Sequence, residues 1–473
     1  MIKADLQWLS HVLETPIEKA SVEQKRQLVA QISTDSRTIT PGQVFLALKG
    51  PNFDGHKFVQ QVADKGAVAV VVETLLPVDI PQLVVSDTLK ALGQLGAAVA
   101  RSVNAKTIAI TGSVGKTSVK EMCAAILALK GKVLATAGNF NNEIGVPLTL
   151  LRLEPEHEYA VIELGANHIG EIANTTNLTK PNVAILNNVA EAHLEGFGDL
   201  SGVVTAKGEI FSGLCSNGTA IVNGDSEFKQ TWLASLEQKF SESAGRVFEF
   251  SLEGESEVNP TFTATNIGLD KWGCASFDLN FGGEKTKIRL VMPGRHNVAN
   301  ALAAASACYA IGASFVEISD GLSNMSAVKG RVNLNPMNDA LLIIDDSYNA
   351  NVQSVKAAID LLTSYPGTRM LVLGDMAELG QEARRLHKEV GEYALAQGLD
   401  YLYSFGVLSQ GTSVVFEHNG RHFSSKQSLI DSINQQIRQT NQEDTSESMA
   451  ILVKGSRSAK MELVVRQLIE DNS

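Results

Sequence analysis

IAITGSVGKTS, residues Ile108 to Ser118, runs from an apolar stretch through a glycine turn into a segment carrying Lys116 and Thr117. Val119, Met122, Cys123, Ile126 and Leu127 follow at helical spacing, so the order is buried strand, tight turn, helix. Backbone N–H groups at the mouth of such a helix point at an anion. The lysine adds a positive charge, and the threonine hydroxyl suits a magnesium ion. Gly112, Ser113, Val114, Gly115, Lys116, Thr117 and Ser118 therefore read as a cradle for the phosphates of ATP or GTP. Position 110 is Ile and the first glycine is Gly112, so the turn is two residues shorter than the common G-x-x-x-x-G-K-[ST] spacing.

Working outward, 473 residues are too many for one ordinary core, and about three domains is the natural expectation. An apolar content of 44% with only 6% aromatics fits an α/β protein rich in Ala, Val, Leu and Ile. The formal net charge of -12 argues against nucleic acid or an anionic membrane as the main partner, so an anionic ligand must be captured locally. Cys123, Cys215, Cys274 and Cys308 are scattered without metal spacing and read as reduced core residues. No stretch approaches the ~20 apolar residues of a membrane span, and MIKADLQWLS lacks the apolar core of a signal peptide. A cytoplasmic, monomeric enzyme is expected.

Three units follow from the pattern. In residues 1–85, FLALKG, AVAVVVE and QLVVSD read as strands and HKFVQQVADKG as a helix. Residues 86–326 continue as βα alternation through YAVIEL, NVAILNNV and TAIVNG, a doubly wound unit, with an antiparallel strand insertion around 242–284. Residues 327–473 carry LLIIDDS, RMLVLGD, YLYSFG and ILVKGSR, apolar runs ending in polar turns, read as buried parallel strands. QTNQEDTSESM reads as a solvated connector.

Polar residues gather just past the carboxyl ends of these strands, where such sheets bind ligands. Glu163 ends YAVIEL and reads as a magnesium ligand, with a carboxylate capping a helix N-terminus as the alternative. His193, in AEAHLEGFG, becomes a metal ligand or phosphate contact only beside Glu163 and Lys116. Lys207 on a predicted helix reads as solvated. Asn297 and Asn300 open the helix of PGRHNVANALAAASA, where they bond an adenine or position an anion, with simple N-capping by Asn297 as the alternative. Arg331 lies at the junction of two units. Asp345 and Asp346 lead into SYNANVQS, and GDMAELG and VKGSRS occupy equivalent ends of two later strands. Three polar loops on one edge point to a second substrate pocket facing the nucleotide.

Taken together, STDSRTITPGQVFLALKGPNFDGHKF, TGSVGKTS, GNFNNEIGVP, VIELGANHIGEI, AEAHLEGFG, AKGEIF, GRHNVANALAA, DDSYNAN, LGDMAELG and VKGSRS resemble the Mur ligase family, ATP-dependent amide-forming enzymes of cell-wall precursor synthesis. The resemblance implies a central P-loop ATPase domain between a small N-terminal UDP-binding domain and a C-terminal Rossmann-like domain. It implies as substrates UDP-N-acetylmuramoyl-tripeptide and D-alanyl-D-alanine. Lys116 would contact the ATP phosphates, and Thr117, Glu163 and His193 would hold magnesium, two ions in all. Lys207 matches the family's carbamylated lysine, against its solvated reading. Asn297 and Asn300 match the adenine side, Arg331 the hinge and Asp346 the ribose. Ser36, Arg37, Lys49 and Gly50 match segments that embrace UDP. Asn142 falls in a substrate-binding segment, while Asn349, Asn351, Ser456 and Arg457 lie where the dipeptide should bind. Val352 replaces the proline many relatives carry after YNAN, and the Asn-Pro-Arg motif of the diaminopimelate-adding ligases is missing. Folylpolyglutamate synthases are the nearest enzymatic rival, and a nucleotide-switch binding protein is the alternative outside the ligases.

Overall fold

The computed structural model describes residues 2–190, 194–254, 256, 259–326, 328–443 and 448–473. Three main sheets succeed one another along the chain. The first orders its strands Ile17–Glu18, Gln82–Val84, Ala69–Val72, Val44–Leu46 and Ile32–Ser33, parallel except for the outermost Ile17–Glu18. FLALKG is not one strand. After Leu46 the chain leaves the sheet, and Lys49–Gly50 forms its own antiparallel ribbon with Phe53–Asp54.

The central sheet has nine strands in the order Val133–Ala135, Tyr159–Glu163, Lys106–Thr111, Val183–Leu186, Thr219–Asn223, Arg246–Ser251, Thr261–Leu269, Cys274–Phe281 and Glu284–Pro293. Ile108 and Ile110 feed one hydrophobic core and Ala109 the other, so both faces of the Lys106–Thr111 strand are covered, as a parallel sheet requires. Lys106–Thr111 lies between Tyr159–Glu163 and Val183–Leu186; the chain runs first to Val133–Ala135 on one side, returns through Tyr159–Glu163, and then crosses to the other side. This is the topological switch point at which open α/β sheets bind ligands. The expected antiparallel insertion is corrected: Arg246–Ser251 and Thr261–Leu269 extend the main sheet in parallel, and only the last two pairings are antiparallel. That final hairpin turns through Gly282 and Gly283 at φ 58° and 85°, the left-handed pair a two-residue turn demands. Its last strand forms the sheet edge, with Lys285, Lys287 and Arg289 exposed and Ile288 and Leu290 buried.

The third sheet orders Asn333–Pro336, Leu341–Asp346, Met449–Lys454, Thr368–Gly374, Tyr401–Phe405 and Gly420–Phe423, parallel except for Asn333–Pro336. Asn333–Pro336 and Gly420–Phe423, short and half-buried, escaped the sequence pattern. The connector reading of QTNQEDTSESM is also corrected, since the helix Lys426–Glu443 includes its first five residues. Of the four cysteines, Cys123 and Cys308 are buried, whereas Cys215 and Cys274 are partly exposed; all four are free thiols. Among the described residues no helix is long and apolar enough to cross a membrane.

Candidate functional site

A cleft of about 740 Å³ opens where the carboxyl ends of the central and third sheets face each other. Its floor is the glycine turn. The helix Lys116–Leu127 is preceded by Gly115, whose φ of 79° is left-handed and where an added Cβ would clash with the Asn300 and Asn187 side chains. Only glycine fits there. The turn is braced from behind by the next strand end. Asn188 accepts the Val114 N–H on its side-chain oxygen (2.9 Å) and donates back to the Val114 carbonyl (3.0 Å), and its backbone carbonyl accepts from Ser113 N–H (3.1 Å). Asn187 donates to the Val114 carbonyl (3.1 Å) and to Asn300 Oδ1 (3.0 Å).

Lys116 is half-buried and donates to the Gly112 carbonyl at 2.6 Å. Desolvation lowers its pKa, while Glu163 and Glu378 pull the other way. Glu163, adjacent to Ile110 across the parallel ladder, accepts from Thr117 Oγ1 at 3.1 Å and from Asn141 Nδ2 at 2.9 Å. Its backbone N–H donates to Thr136 Oγ1. Lys116, Thr117 and Glu163 therefore share one sheet edge; His193 lies outside the described residues. Among the described residues no group of three or more His, Cys, Asp or Glu forms a metal cluster.

Lys207 corrects its solvated reading. It is buried at 1% exposure, lines the cleft, and holds its amine 5.3 Å from the centre of the Phe197 ring. Burial, reinforced by the charge of Lys116, lowers its pKa to about 7. Its amine is thus substantially neutral near pH 7 and able to act as a nucleophile.

Asn297 and Asn300 do not cap their helix. In His296–Ala310 both are buried, Asn297 donating to the Pro293 carbonyl (2.7 Å) and accepting from Asn300 (2.9 Å). A chain of amides, Asn187 to Asn300 to Asn297, thus ties the phosphate turn to this helix.

From the junction, Arg331 donates to Thr117 Oγ1 at 3.2 Å and stacks 4.4 Å from the Tyr348 ring centre. The chain around it is contorted, with Gly330 at φ 70° and Val332 at φ 53°. A β-branched residue in the left-handed region is strained. Asp346 is buried and paired with Lys454 at 2.5 Å, and Lys454 also donates to the Asn349 carbonyl at 2.9 Å. Burial lowers the pKa of this lysine, opposed by Asp346.

The three expected polar loops do converge. Asn349, Asn351, Ser456 and Arg457 all line the cleft, as does Asn142. Asn351 caps the helix Val352–Thr363 through a reciprocal pair with Ser354, so Val352 starts that helix without a proline. Ser456 Oγ accepts from Ala377 N–H (2.7 Å), and Arg457 pairs with Glu462 (2.8 Å). Asn142 caps the next turn through Gly145 N–H (2.8 Å). Ser36, Arg37, Lys49 and Gly50 belong to the first unit and are not among the residues lining this cleft; Arg37 is exposed and paired with Asp35 at 2.8 Å. Sequence reasoning missed Asn141, Asn187, Asn188 and Lys454, although each stands inside a quoted motif.

Three family models match consecutive parts of the chain: the Mur ligase family catalytic domain over residues 28–130, the Mur ligase middle domain over 110–308, and the Mur ligase glutamate ligase domain over 330–457. The chain is 47% identical to the UDP-N-acetylmuramoyl-tripeptide--D-alanyl-D-alanine ligase of Escherichia coli (strain K12), covering 100% of both. A crystal structure of MurF from Acinetobacter baumannii superimposes with a TM-score of 0.90 at 36% identity, covering 99% of each chain. The MurF ligase of Thermotoga maritima, solved in complex with ADP, gives 0.79 at 25% identity, covering 93% of this chain and 97% of that one.

Proposed function

The chain belongs to the Mur ligase family, and from that premise we propose that it joins D-alanyl-D-alanine to UDP-N-acetylmuramoyl-tripeptide with consumption of ATP, in peptidoglycan precursor synthesis. The observation that carries this reading is the single cleft in which the phosphate turn of the central unit faces the amide- and hydroxyl-rich loops of the third. Such an arrangement suits two reactions in sequence on one carboxyl group.

A carboxylate forms no amide in water until it has a leaving group, so ATP first phosphorylates the terminal carboxylate of the tripeptide. Phosphoryl transfer asks a protein for positioning and charge neutralisation. The N–H groups of Gly115 to Ser118 and the Lys116 amine hold the phosphates, Asn297 and Asn300 face the adenine side, and Asp346 and Arg331 hold the rest of the nucleotide. The dipeptide binds among Asn349, Asn351, Ser456 and Arg457, and its amine displaces phosphate. Ser36, Arg37, Lys49 and Gly50 hold the UDP end of the other substrate, with Asn142 along its path.

The donor set fits magnesium. Thr117 and Glu163 offer hard oxygens, already aligned by Asn141 and Thr136, and Mg²⁺ is usually held through one or two carboxylates, waters and substrate phosphates. His193 is assigned to a second ion. Bound there, magnesium neutralises phosphate charge during transfer. Lys207, buried and with its pKa lowered to about 7, would add through its neutral form to carbon dioxide with loss of one proton, becoming a carbamate that places an anion on this edge.

Phosphate release tested against a matrix of UDP-peptides and acceptors decides the matter. A ligase of this type releases phosphate only when UDP-tripeptide and D-alanyl-D-alanine are both present. Slow hydrolysis with neither would indicate a nucleotide switch, and turnover with a folate and glutamate the folylpolyglutamate synthase reading.

A further inference from the structure

Glu378, in the loop GDMAELG, lines the cleft from the third-domain side and has been given no role so far. Its backbone is left-handed at φ 63°. A non-glycine residue remains there only when its surroundings over-determine it, and such positions cluster at functional sites. Those surroundings are firm. Two residues earlier, the Met376 N–H donates to the ring of buried His387 at 2.9 Å. One residue earlier, Ala377 N–H donates to Ser456 Oγ at 2.7 Å. On the other side Leu379 is buried, and Gly380 lies against Glu195, close enough that an added Cβ would stand 3.5 Å from the Glu195 Cα. The loop is pinned at both ends with the glutamate at its crest.

The carboxylate is within electrostatic reach of the phosphate lysine, since Glu378 and Glu163 both favour the charged form of Lys116. Glu163 approaches from the central sheet. Glu378 lines the cleft from the third unit, next to Ala377, whose N–H bonds Ser456 in one of the loops assigned above to the dipeptide.

We propose that Glu378 accepts the proton of the incoming dipeptide amine, a role that rests on the ligase reading above. The ammonium gives one proton to the Glu378 carboxylate, and the freed lone pair forms the new C–N bond at the acyl carbon. The C–O bond to phosphate breaks, and phosphate leaves with that electron pair. The second N–H proton goes to the departing phosphate, giving amide and hydrogen phosphate, and Glu378 returns its proton to water. The same carboxylate selects an ammonium end for this side of the cleft.

The test separates activation from amine attack. Full-length wild type and Glu378→Gln are supplied with ATP, magnesium and UDP-tripeptide, then with either D-alanyl-D-alanine or hydroxylamine, a nucleophile already neutral at pH 7. Glu378→Gln should lose about 10²- to 10⁴-fold in dipeptide ligation, the usual worth of a general base, while hydroxamate still forms. Undiminished ligation, or equal loss of both products, would overturn the assignment. No product of either kind from the wild type would instead sink the ligase reading. Glu378→Gly relieves the backbone strain, so its thermal midpoint should match or exceed wild type while ligation falls. A lowered midpoint would overturn the claim that the strain is maintained for the carboxylate.

Discussion

Arg331 and Thr117, 214 positions apart, meet at 3.2 Å, guanidinium to hydroxyl. The contact couples the linker before the third sheet to the hydroxyl that also bonds Glu163. Arg331 is proposed to hold the nucleotide, and a charge-assisted hydrogen bond is worth about 1.5–3 kcal/mol, so in Arg331→Ala the KM for ATP should rise roughly 10- to 100-fold. Steady-state kinetics at saturating tripeptide and dipeptide measure it, and an unchanged KM would detach the linker from the nucleotide.

Lys116→Ala should abolish phosphate release with the fold intact, because the hydrogen bonds its amine makes among the described residues are local, to the Gly112 carbonyl and the more distant Ser113 carbonyl of its own turn. Circular dichroism with a phosphate assay separates the two effects. Near-normal release would remove Lys116 from the mechanism.

Glu163→Gln keeps the shape that Thr117 and Asn141 engage but removes the charge. The magnesium concentration for half-maximal activity should rise about tenfold or more, by analogy with the loss of a coordinating carboxylate's support. A magnesium titration that superimposes on wild type would exclude Glu163 as a ligand.

The Lys207 amine, with its pKa lowered to about 7, should take up labelled bicarbonate as a carbamate visible by carbon NMR. The signal should vanish in Lys207→Ala. Persistence in the variant would assign it elsewhere.

His387 gives a pH dependence with a definite sign. Its Nε2 accepts from Met376 N–H and its Nδ1–H donates to the Ala383 carbonyl, so the folded ring is neutral, and burial holds its pKa below the ordinary 6.5. Above pH 6.5 folded and unfolded states are both neutral and the contribution is complete. As pH falls from there through the depressed folded value, the unfolded state takes the proton first and stability is lost. Thermal midpoints between about pH 8 and about pH 5 should fall more steeply for wild type than for His387→Gln, and parallel curves would contradict this.

Most of the site could be read in advance because each functional group directly follows an apolar strand run: Glu163 after YAVI, Asp346 after LLIID, Lys116 after the glycine turn. Partnerships across the fold could not. Lys454 and Asp346 are 108 residues apart, and Asn188 grips a turn 74 residues away, so neither spacing marks the pair. Lys207 misled for a local reason. Ser201 and Thr205 take the exposed side of its helix, and Lys207 falls on the buried side with Val203, Val204 and Ala206. The parallel run of Arg246–Ser251 and Thr261–Leu269 was missed because a link of only nine residues is short for the helical crossover that usually joins parallel strands.

The outermost hairpin strand has an effect beyond its own chain. A bare sheet edge is a template for chain-to-chain zippering, but this one is engaged by its own helix Phe315–Ser323: Ser319 Oγ donates to the Lys287 carbonyl (2.8 Å) and Ser323 Oγ accepts the Arg289 N–H (3.3 Å), beside the exposed Lys285, Lys287 and Arg289. An edge that is both charged and bonded to its own helix leaves a second chain little free backbone with which to pair.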